Sequence, residues 1–353
     1  MAKPRQLPNR LKSHRLERGW SQAEVAERAG ISRAAVSAIE VNRLVPSVAV
    51  ALSLAAAFGC TVEDLFGTRI SATAEPGWAW PHVQPSCRYW HAQVQGRTIF
   101  YPVEATAAGE IAHDGVFKNG AFVPNSETEP ATTLVLASCD PAVGLLAAEY
   151  ARSTGYRLLA LARPSRQALS LLAQGLVHVA GIHFATREEP DANIRAVKDI
   201  LGVDYRLLRV ARWEEGLSVG PGTGVSTVGG ALRARLRWVG REPGSAARQC
   251  LDELLPNRPA PRRFAHDHRG VAEAIRSGWA DVGVCHRLVS DEAGLRFFPV
   301  REEDFDLCYQ AQAEGDPRIN ALLRIVRSSS YRRLLGELPG YETAEAGQIR
   351  SAR

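Results

Sequence analysis

The sequence predicts a multidomain protein: an all-α N-terminal domain, a small β-rich connector, and an α/β domain filling the C-terminal two thirds. Three observations carry this. The first 67 residues hold short amphipathic helices with their own start and stop signals. The next stretch, to about residue 129, turns rich in Gly, Pro and aromatic residues. From Thr132 onward, strand and helix patterns alternate. At 353 residues the chain is also too long for one small core. The expected domains are 1–67, 68–129 and 130–345.

Bulk composition narrows the partners. Hydrophobic residues are 45% and charged residues 23%, an ordinary globular balance. The net charge of +5 permits nucleic-acid binding without requiring it. The opening "MAKPRQLPNRLKSHRLERGW" has no apolar core of a secretory signal, and the longest apolar run, "VAVALSLAAAF", is too short to span a bilayer. The expected compartment is therefore the cytoplasm, with no membrane partner. Six cysteines stand singly with no CxxC pair, as expected of thiols in a reducing compartment.

In the first domain Ser21 and Glu24 form a capping-box pattern ahead of an apolar face of Val25, Ala26 and Ala29. Gly30 can stop that helix with a positive φ. Ser32 then caps a second helix, with Val36 and Ile39 on its buried face. Two short helices around a tight glycine turn make a helix-turn-helix. Leu7 to Phe66 resembles the XRE/Cro family, down to the exit Glu40, Asn42, Arg43, Pro46, Ser47. The family usually has Gly where Asn42 stands, and Asn also tolerates that left-handed position. The resemblance implies that Gln22, Arg33, Ala34, Ser37 and Ala38 face bases in the major groove, Arg33 fitting a guanine. It assigns Arg43 and the Ser21 and Ser32 regions to phosphate. Nine Lys/Arg against six Asp/Glu in this domain is thin for one domain alone. A homodimer, the family habit, would double the contacts.

In the connector, "RYWHAQVQGRTIFYPVE" reads as two strands around "QGR", and "DGVFKNGAFV" as a hairpin turning at Asn-Gly. Trp78, Trp80, Tyr89, Trp90, Phe100 and Tyr101 require burial.

The α/β domain opens with the strand "TTLVLAS" and a helix closed by Gly155. The strand "YRLLALA", the helix "SRQALSLLAQG" and the strand "VHVAGIHF" follow. "WEEGLSVG" and "LRWVGRE" read as strands, and "GSAARQCLDELL" and "HRGVAEAIRSGWA" as helices. "DVGVC", "RFFPV" and "FDLCYQ" are strands before a long helical end from Asp316. Mostly parallel sheets are expected.

This order resembles type II periplasmic-binding-protein folds, and more narrowly the molybdate-binding-like domains found fused to helix-turn-helix modules. The residues that carry the likeness are "SCDPA", "SRQALSLLAQGLVHVAGIH", "REPGSAAR" and "AIRSGWADVGV". The family pattern shows more glycine in these loops. The resemblance implies two lobes with a ligand cleft between them. Lobe 1 would be about 130–212 with 287–345, and lobe 2 about 213–286. The chain would cross near Arg212–Leu217 and return near Cys285–Arg287. The cleft would gather Ser138, Cys139, Asp140, Ser165, Arg166, His183, Arg241, Gly244, Ser245, Arg248 and Cys285. Unpaired N–H groups at helix starts, with hydroxyl and guanidinium donors, suit an anion or a strongly polar ligand.

The expected function is a one-component transcriptional regulator that binds operator DNA and a small polar or anionic effector. A molybdate- or tungstate-like oxyanion is the leading candidate, and no other cofactor is expected. One alternative is a thiol- or metal-responsive regulator using Cys139, Cys250 and Cys285. Another is an oxyanion- or cofactor-handling enzyme with a DNA-binding appendage. No acid/base pair, P-loop or nucleophile triad is readable in sequence order, so catalysis is not expected. Asp267, between His266 and His268, suits a helix cap better than a metal ligand.

Overall fold

A computed structural model of the chain describes residues 9–60, 62–66, 77–82, 84–106, 109–125, 127–256 and 258–352. Leu7, Thr61 and the expected Gly67/Thr68 boundary lie outside the described residues. The chain divides into two compact units, Met1–Glu75 and Pro76–Arg353.

The first unit is helical: α1 (Leu11–Glu17), α2 (Gln22–Ala29), α3 (Arg33–Glu40), α4 (Val48–Phe58) and α5 (Val62–Phe66). Its local signals act as the sequence implies. Ser21 and Glu24 complete a capping box on α2, and Gly30 ends that helix with φ 66°. Ser32 caps α3, and Asn42 takes φ 59° just beyond it. Leu11, Val25, Val36, Ile39, Leu54, Phe58 and Leu65 meet in one core.

The second unit begins with β1 (Gly77–Trp78), β2 (Cys87–Val94), β3 (Arg97–Pro102), β4 (Gly115–Lys118) and β5 (Ala121–Pro124). They form a sheet in the order β1-β3-β2-β4-β5. Its hairpins turn at Gln95-Gly96 and Asn119-Gly120, all four residues at positive φ as primed turns require.

The α/β elements follow as β6 (Thr133–Ser138), α6 (Val143–Thr154), β7 (Arg157–Ala162), α7 (Ser165–Ala173), β8 (Val179–Thr186) and α8 (Ala192–Leu201). Then come β9 (Tyr205–Val219), α9 (Val228–Arg233), β10 (Trp238–Arg241), α10 (Ala246–Leu254), β11 (Phe264–Ala265) and α11 (His268–Arg276). The chain closes with β12 (Val282–His286), α12 (Arg287–Glu292), β13 (Arg296–Gln310), α13 (Pro317–Arg327), α14 (Ser329–Gly336), β14 (Tyr341–Glu342) and β15 (Ile349–Ser351). The sheet order is β11-β10-β12-β9-β13-β8-β6-β7, with β14 and β15 also on β9. The first lobe holds β6–β8 and the second β10–β12. The antiparallel pair β9 and β13 runs through both.

Five expectations change. The sheet is mixed rather than mostly parallel, because the two strands that cross between lobes run in opposite directions. The return crossing lies in β13 rather than at Cys285–Arg287, since Arg296–Pro299 still pair with Val219–Gly216 of β9. "RFFPV" and "FDLCYQ" are thus one bulged strand. The domain also runs past residue 345, because β15 pairs with β9 and Ala352 is buried. The helical end is two helices, Ser328 capping the second.

Both faces of the first-lobe sheet are buried. Leu134 and Leu136 pack with Leu146, Tyr150, Trp213 and Leu322 on one face. Val135 and Ala137 pack with Leu169, Leu172 and Ile182 on the other, where Trp90 and Tyr101 of the five-stranded sheet join the core. Arg157 locks the two sheets together with a bidentate pair to Asp114 at 2.7 Å on both branches.

Candidate functional site

In the helical unit, the Ser21 and Ser32 hydroxyls accept from the backbone N–H of Glu24 and Ala35. Arg33 and Ala34 lie exposed on the first turn of α3, Ser37 and Ala38 are half-buried, and Arg43 is exposed beyond its end. Gln22 donates to Glu40 at 2.9 Å, and Arg15 grips the same carboxylate at 2.6 Å. That clamp fixes α2 against α3 at the point where both helices present polar side chains.

In the second unit, the ends of β6, β10 and β12 and the inner stretches of β8, β9 and β13 bring polar side chains together between the lobes. Ser138 ends β6 and accepts from the Asp140 N–H at 3.1 Å. Asp140 accepts from the Ala142 N–H at 2.9 Å and from the Tyr341 hydroxyl at 2.6 Å. Burial pushes its carboxyl up against those bonds. Between them, Cys139 Sγ lies 3.0 Å from His183 Nε2. His183 Nδ1 lies 2.5 Å from Glu303 Oε2. Glu303 also accepts from the Trp213 indole at 3.2 Å and from Arg301 Nε at 2.7 Å.

Charge follows this arrangement. Burial alone would hold the His183 imidazole neutral, but Cys139 and Glu303 outweigh it and raise its pKa well above the usual histidine value. Burial likewise opposes ionisation of Glu303, and the His183 and Arg301 charges overcome it. Glu215 feels the His183, Arg301 and Arg241 charges as well, but among the described residues no donor holds it. Both its oxygens are buried with no hydrogen bond among the described residues. Burial first, and Glu303 second, push its carboxyl up to about 8.

The far side of the cluster offers donors. Arg241 is 1% exposed. Its Nε and Nη2 engage Glu242 at 3.1 Å each, and Nη2 also reaches the His266 carbonyl. Nη1 is buried with no partner among the described residues. His268 Nδ1 accepts from the His286 N–H at 3.2 Å, and His286 Nδ1 accepts from the Leu288 N–H at 3.1 Å. An Nδ1 that accepts leaves the hydrogen of a neutral imidazole on Nε2. Burial depresses both rings, so both are neutral. Each therefore carries an Nε2–H donor, buried and unpaired among the described residues. The rings lie close: His183 and His286 each sit 4.9 Å from Trp213, and His268 sits 6.0 Å from His286. The Ser165 hydroxyl, first on α7, is also buried and unpaired among the described residues. A bond from the Arg163 N–H to the Ser138 carbonyl holds that loop beside β6. Several unpaired buried donors facing a neutral carboxyl make a setting for a small anion, since each otherwise bears an unpaid desolvation cost.

The structure thus brings Ser138, Cys139, Asp140, Ser165, His183 and Arg241 to the interlobe region, whereas Cys285 packs in the second-lobe core with Val239, Val271 and Val289. The Cys285 thiol donates to the His268 carbonyl at 3.4 Å. Arg166, Gly244, Ser245 and Arg248 line a cavity of about 480 Å³ that also lies between the lobes, with Phe184 of the first lobe and Asp252 of the second. There the Ser245 hydroxyl donates to the Glu242 carbonyl at 3.0 Å and caps α10 by accepting from the Arg248 N–H. Arg248 Nε contacts both oxygens of Asp252, at 2.8 and 2.9 Å. Cys250 is buried in the second-lobe core. Asp267 caps α11. Among the described residues, no group of three or more His, Cys, Asp or Glu could hold a metal ion. Among them, no helix is long and apolar enough to cross a membrane.

Sequence reasoning missed Trp213, Glu215, Arg301 and Glu303. The available signal was period two: Trp213 and Glu215, and Arg301 and Glu303, each point to one face of a strand.

Fold and site together define a helix-turn-helix module joined to a two-lobed ligand-binding module. The sequence profile of the PBP superfamily domain matches residues 147–327, and that of the helix-turn-helix family matches residues 11–65. The chain belongs to the PBP superfamily domain family, and its N-terminal domain is an XRE-type helix-turn-helix. It is 30% identical over 186 residues to the uncharacterized protein YvgK of Bacillus subtilis (strain 168), covering 50% of this chain and 60% of that protein. It is 38% identical over 60 residues to the uncharacterized HTH-type transcriptional regulator YgzD of the same organism, covering 17% of this chain and 91% of that protein. Among solved structures it is similar to PhnD1 from Prochlorococcus marinus (MIT 9301) in complex with methylphosphonate. The identity is 14% and the TM-score 0.43, over 62% of this chain and 94% of that one.

Proposed function

We propose that the chain is a ligand-responsive transcriptional regulator that does not turn over its ligand. The helix-turn-helix binds operator DNA, and the interlobe region of the second unit binds a small anion. The observation that carries the anion is the set of buried donors unpaired among the described residues: Arg241 Nη1, His268 Nε2–H, His286 Nε2–H and the Ser165 hydroxyl. A protonated Glu215 adds no negative charge beside them. Molybdate or tungstate is the first candidate, because an oxyanion accepts from several directions at once. The antiparallel crossing strands β9 and β13 are the hinge on which the lobes open to admit it.

Closure around the anion shifts the DNA-bound population only by the difference in its affinity for the two states. On DNA, Arg33, Ala34, Ser37, Ala38 and Gln22 face base edges, while Arg43 and the helix starts at Ser21 and Ser32 meet phosphate. The working unit is a homodimer on a near-palindrome, which would cover exposed apolar residues of the helical unit such as Val45, Val48 and Leu52. A DNA partner places the protein in the cytoplasm. The test is selection of sites from random duplex DNA by the full chain, with and without molybdate or tungstate. A near-palindrome should be enriched, and its retention should change with the anion. No enrichment counts against the regulator, and enrichment indifferent to every anion counts against the effector.

A further inference from the structure

Cys139, His183 and Glu303 stand in a line that anion binding does not use. Cys139 Sγ is 3.0 Å from His183 Nε2, and His183 Nδ1 is 2.5 Å from Glu303 Oε2. Nucleophile, base and orienting carboxylate in that order are the arrangement that activates a thiol. The carboxylate cannot swing away, because Trp213 and Arg301 hold it as well. Burial separates Cys139 from the thiols in the cores of the two lobes. It is half-buried, whereas Cys250, Cys285 and Cys308 are buried. Arg241 lies near enough for the charges of the two groups to interact.

We propose that Cys139 is a nucleophilic thiol, with His183 as its base and Glu303 orienting the imidazole, and that it captures small anionic electrophiles as thioethers between the lobes. The anionic class rests on the preceding section, while the thiol rests on the triad alone. The Sγ–H proton passes to His183 Nε2 while Nδ1–H stays with Glu303. Sγ forms a bond to the electrophilic carbon. With an alkyl halide, the carbon–halogen bond breaks and halide leaves with its pair. With a conjugated alkene, the pair moves to the α carbon, which takes the proton back from His183. Neither route needs an oxidant or reductant. The carboxylate of the electrophile takes the Arg241 Nη1 donor. The charged and titratable groups around Cys139 are Asp140 beside it, His183 on β8, Glu215 on β9, Arg241 on β10 and Glu303 on β13.

The test is alkylation of the full native chain, mapped by peptide mass, with the half-buried Cys87 as internal reference. At pH 6, iodoacetamide should modify Cys139 about ten-fold faster than Cys87, because the imidazole beside its Sγ takes the thiol proton. Between pH 6 and 8 the Cys139 rate should stay nearly flat, while that of Cys87 climbs steeply. This comparison needs no variant. His183→Gln, checked for an unchanged melting curve, should bring Cys139 to the Cys87 rate. Parallel pH profiles for the two cysteines, or an unchanged rate in His183→Gln, would overturn the triad. Iodoacetate should then react with Cys139 in preference to iodoacetamide, more so than with Cys87, and Arg241→Gln should remove that preference. A Cys139 slow with both reagents removes the thiol and leaves the anion site standing. A Cys139 fast with iodoacetamide but indifferent to iodoacetate overturns the anionic class, and the anion site with it.

Discussion

Replacing Glu215 with glutamine keeps the shape of a buried side chain and removes its ionisation. In the native chain the carboxyl has no hydrogen bond among the described residues, and burial together with Glu303 pushes it up to about 8. The folded protein thus keeps a proton that the unfolded chain releases near pH 4–5. Stability from that retained proton is full below the unfolded value and is lost as pH rises through the folded one. At about 1.4 kcal/mol per pH unit, the loss between pH 6 and pH 9 is about 2–3 kcal/mol. That is an upper figure, since slight parting of the lobes admits water to the carboxylate. In a domain of this size each kcal/mol moves Tm by about 2–4 °C. Calorimetric melting of the full chain at both pH values reads the effect in the transition of the Pro76–Arg353 unit. Glu215→Gln should gain several degrees over wild type at pH 9 and clearly less at pH 6. An equal difference at both pH values would refute a carboxyl held protonated between the lobes.

Arg33→Ala should relax sequence preference at one base position by about 1–3 kcal/mol, whereas Arg43→Ala should weaken binding to all duplexes alike. Competition between selected and scrambled DNA tells these apart, and an unchanged ratio for Arg33→Ala would remove it from the base contacts. Ser245→Ala should cost about 1 kcal/mol of stability through its cap and leave anion affinity intact, because the hydroxyl already serves Glu242 and Arg248. Titration and melting of the same variant check both halves. Limited proteolysis should leave a resistant core that retains Trp90 and Tyr101, since both pack into the α/β core. A core beginning near Pro130 would contradict that packing.

What was legible in the sequence was local. The helix-turn-helix could be read because Ser21 with Glu24, Gly30, Ser32 and Asn42 act within one turn of chain, and the hairpins turn where Gln-Gly and Asn-Gly stand. Ser245 belongs with them: its helix-start signature was read, and capping is what its hydroxyl does. The long strands were read only in pieces. Pro299 and the polar run from Arg301 to Asp304 broke the apolar pattern of β13, and bulges beside Pro299 and at Phe305/Asp306 let the strand continue. Helix α8 went unread although "ANIRAVKDIL" carries an apolar face on Ile194, Val197 and Leu201, and Asn193 is buried in donating to Asp306 and accepting from Phe184 and Ala185. Glu215, Arg301 and Glu303 escaped for a related reason. Their burial comes from pairing strands some eighty residues apart, and no window of sequence contains it. His183 could be nominated from its own strand, but its carboxylate partner lay out of reach.

The most direct test is calorimetric titration of the full chain with molybdate, beside Arg241→Gln. Wild type should bind saturably, with affinity weakened about ten-fold or more when the buried guanidinium donor is lost. Absence of saturable binding of molybdate, tungstate, sulfate and phosphate by the wild-type chain, or equal affinity in Arg241→Gln, would contradict an anion site between the lobes.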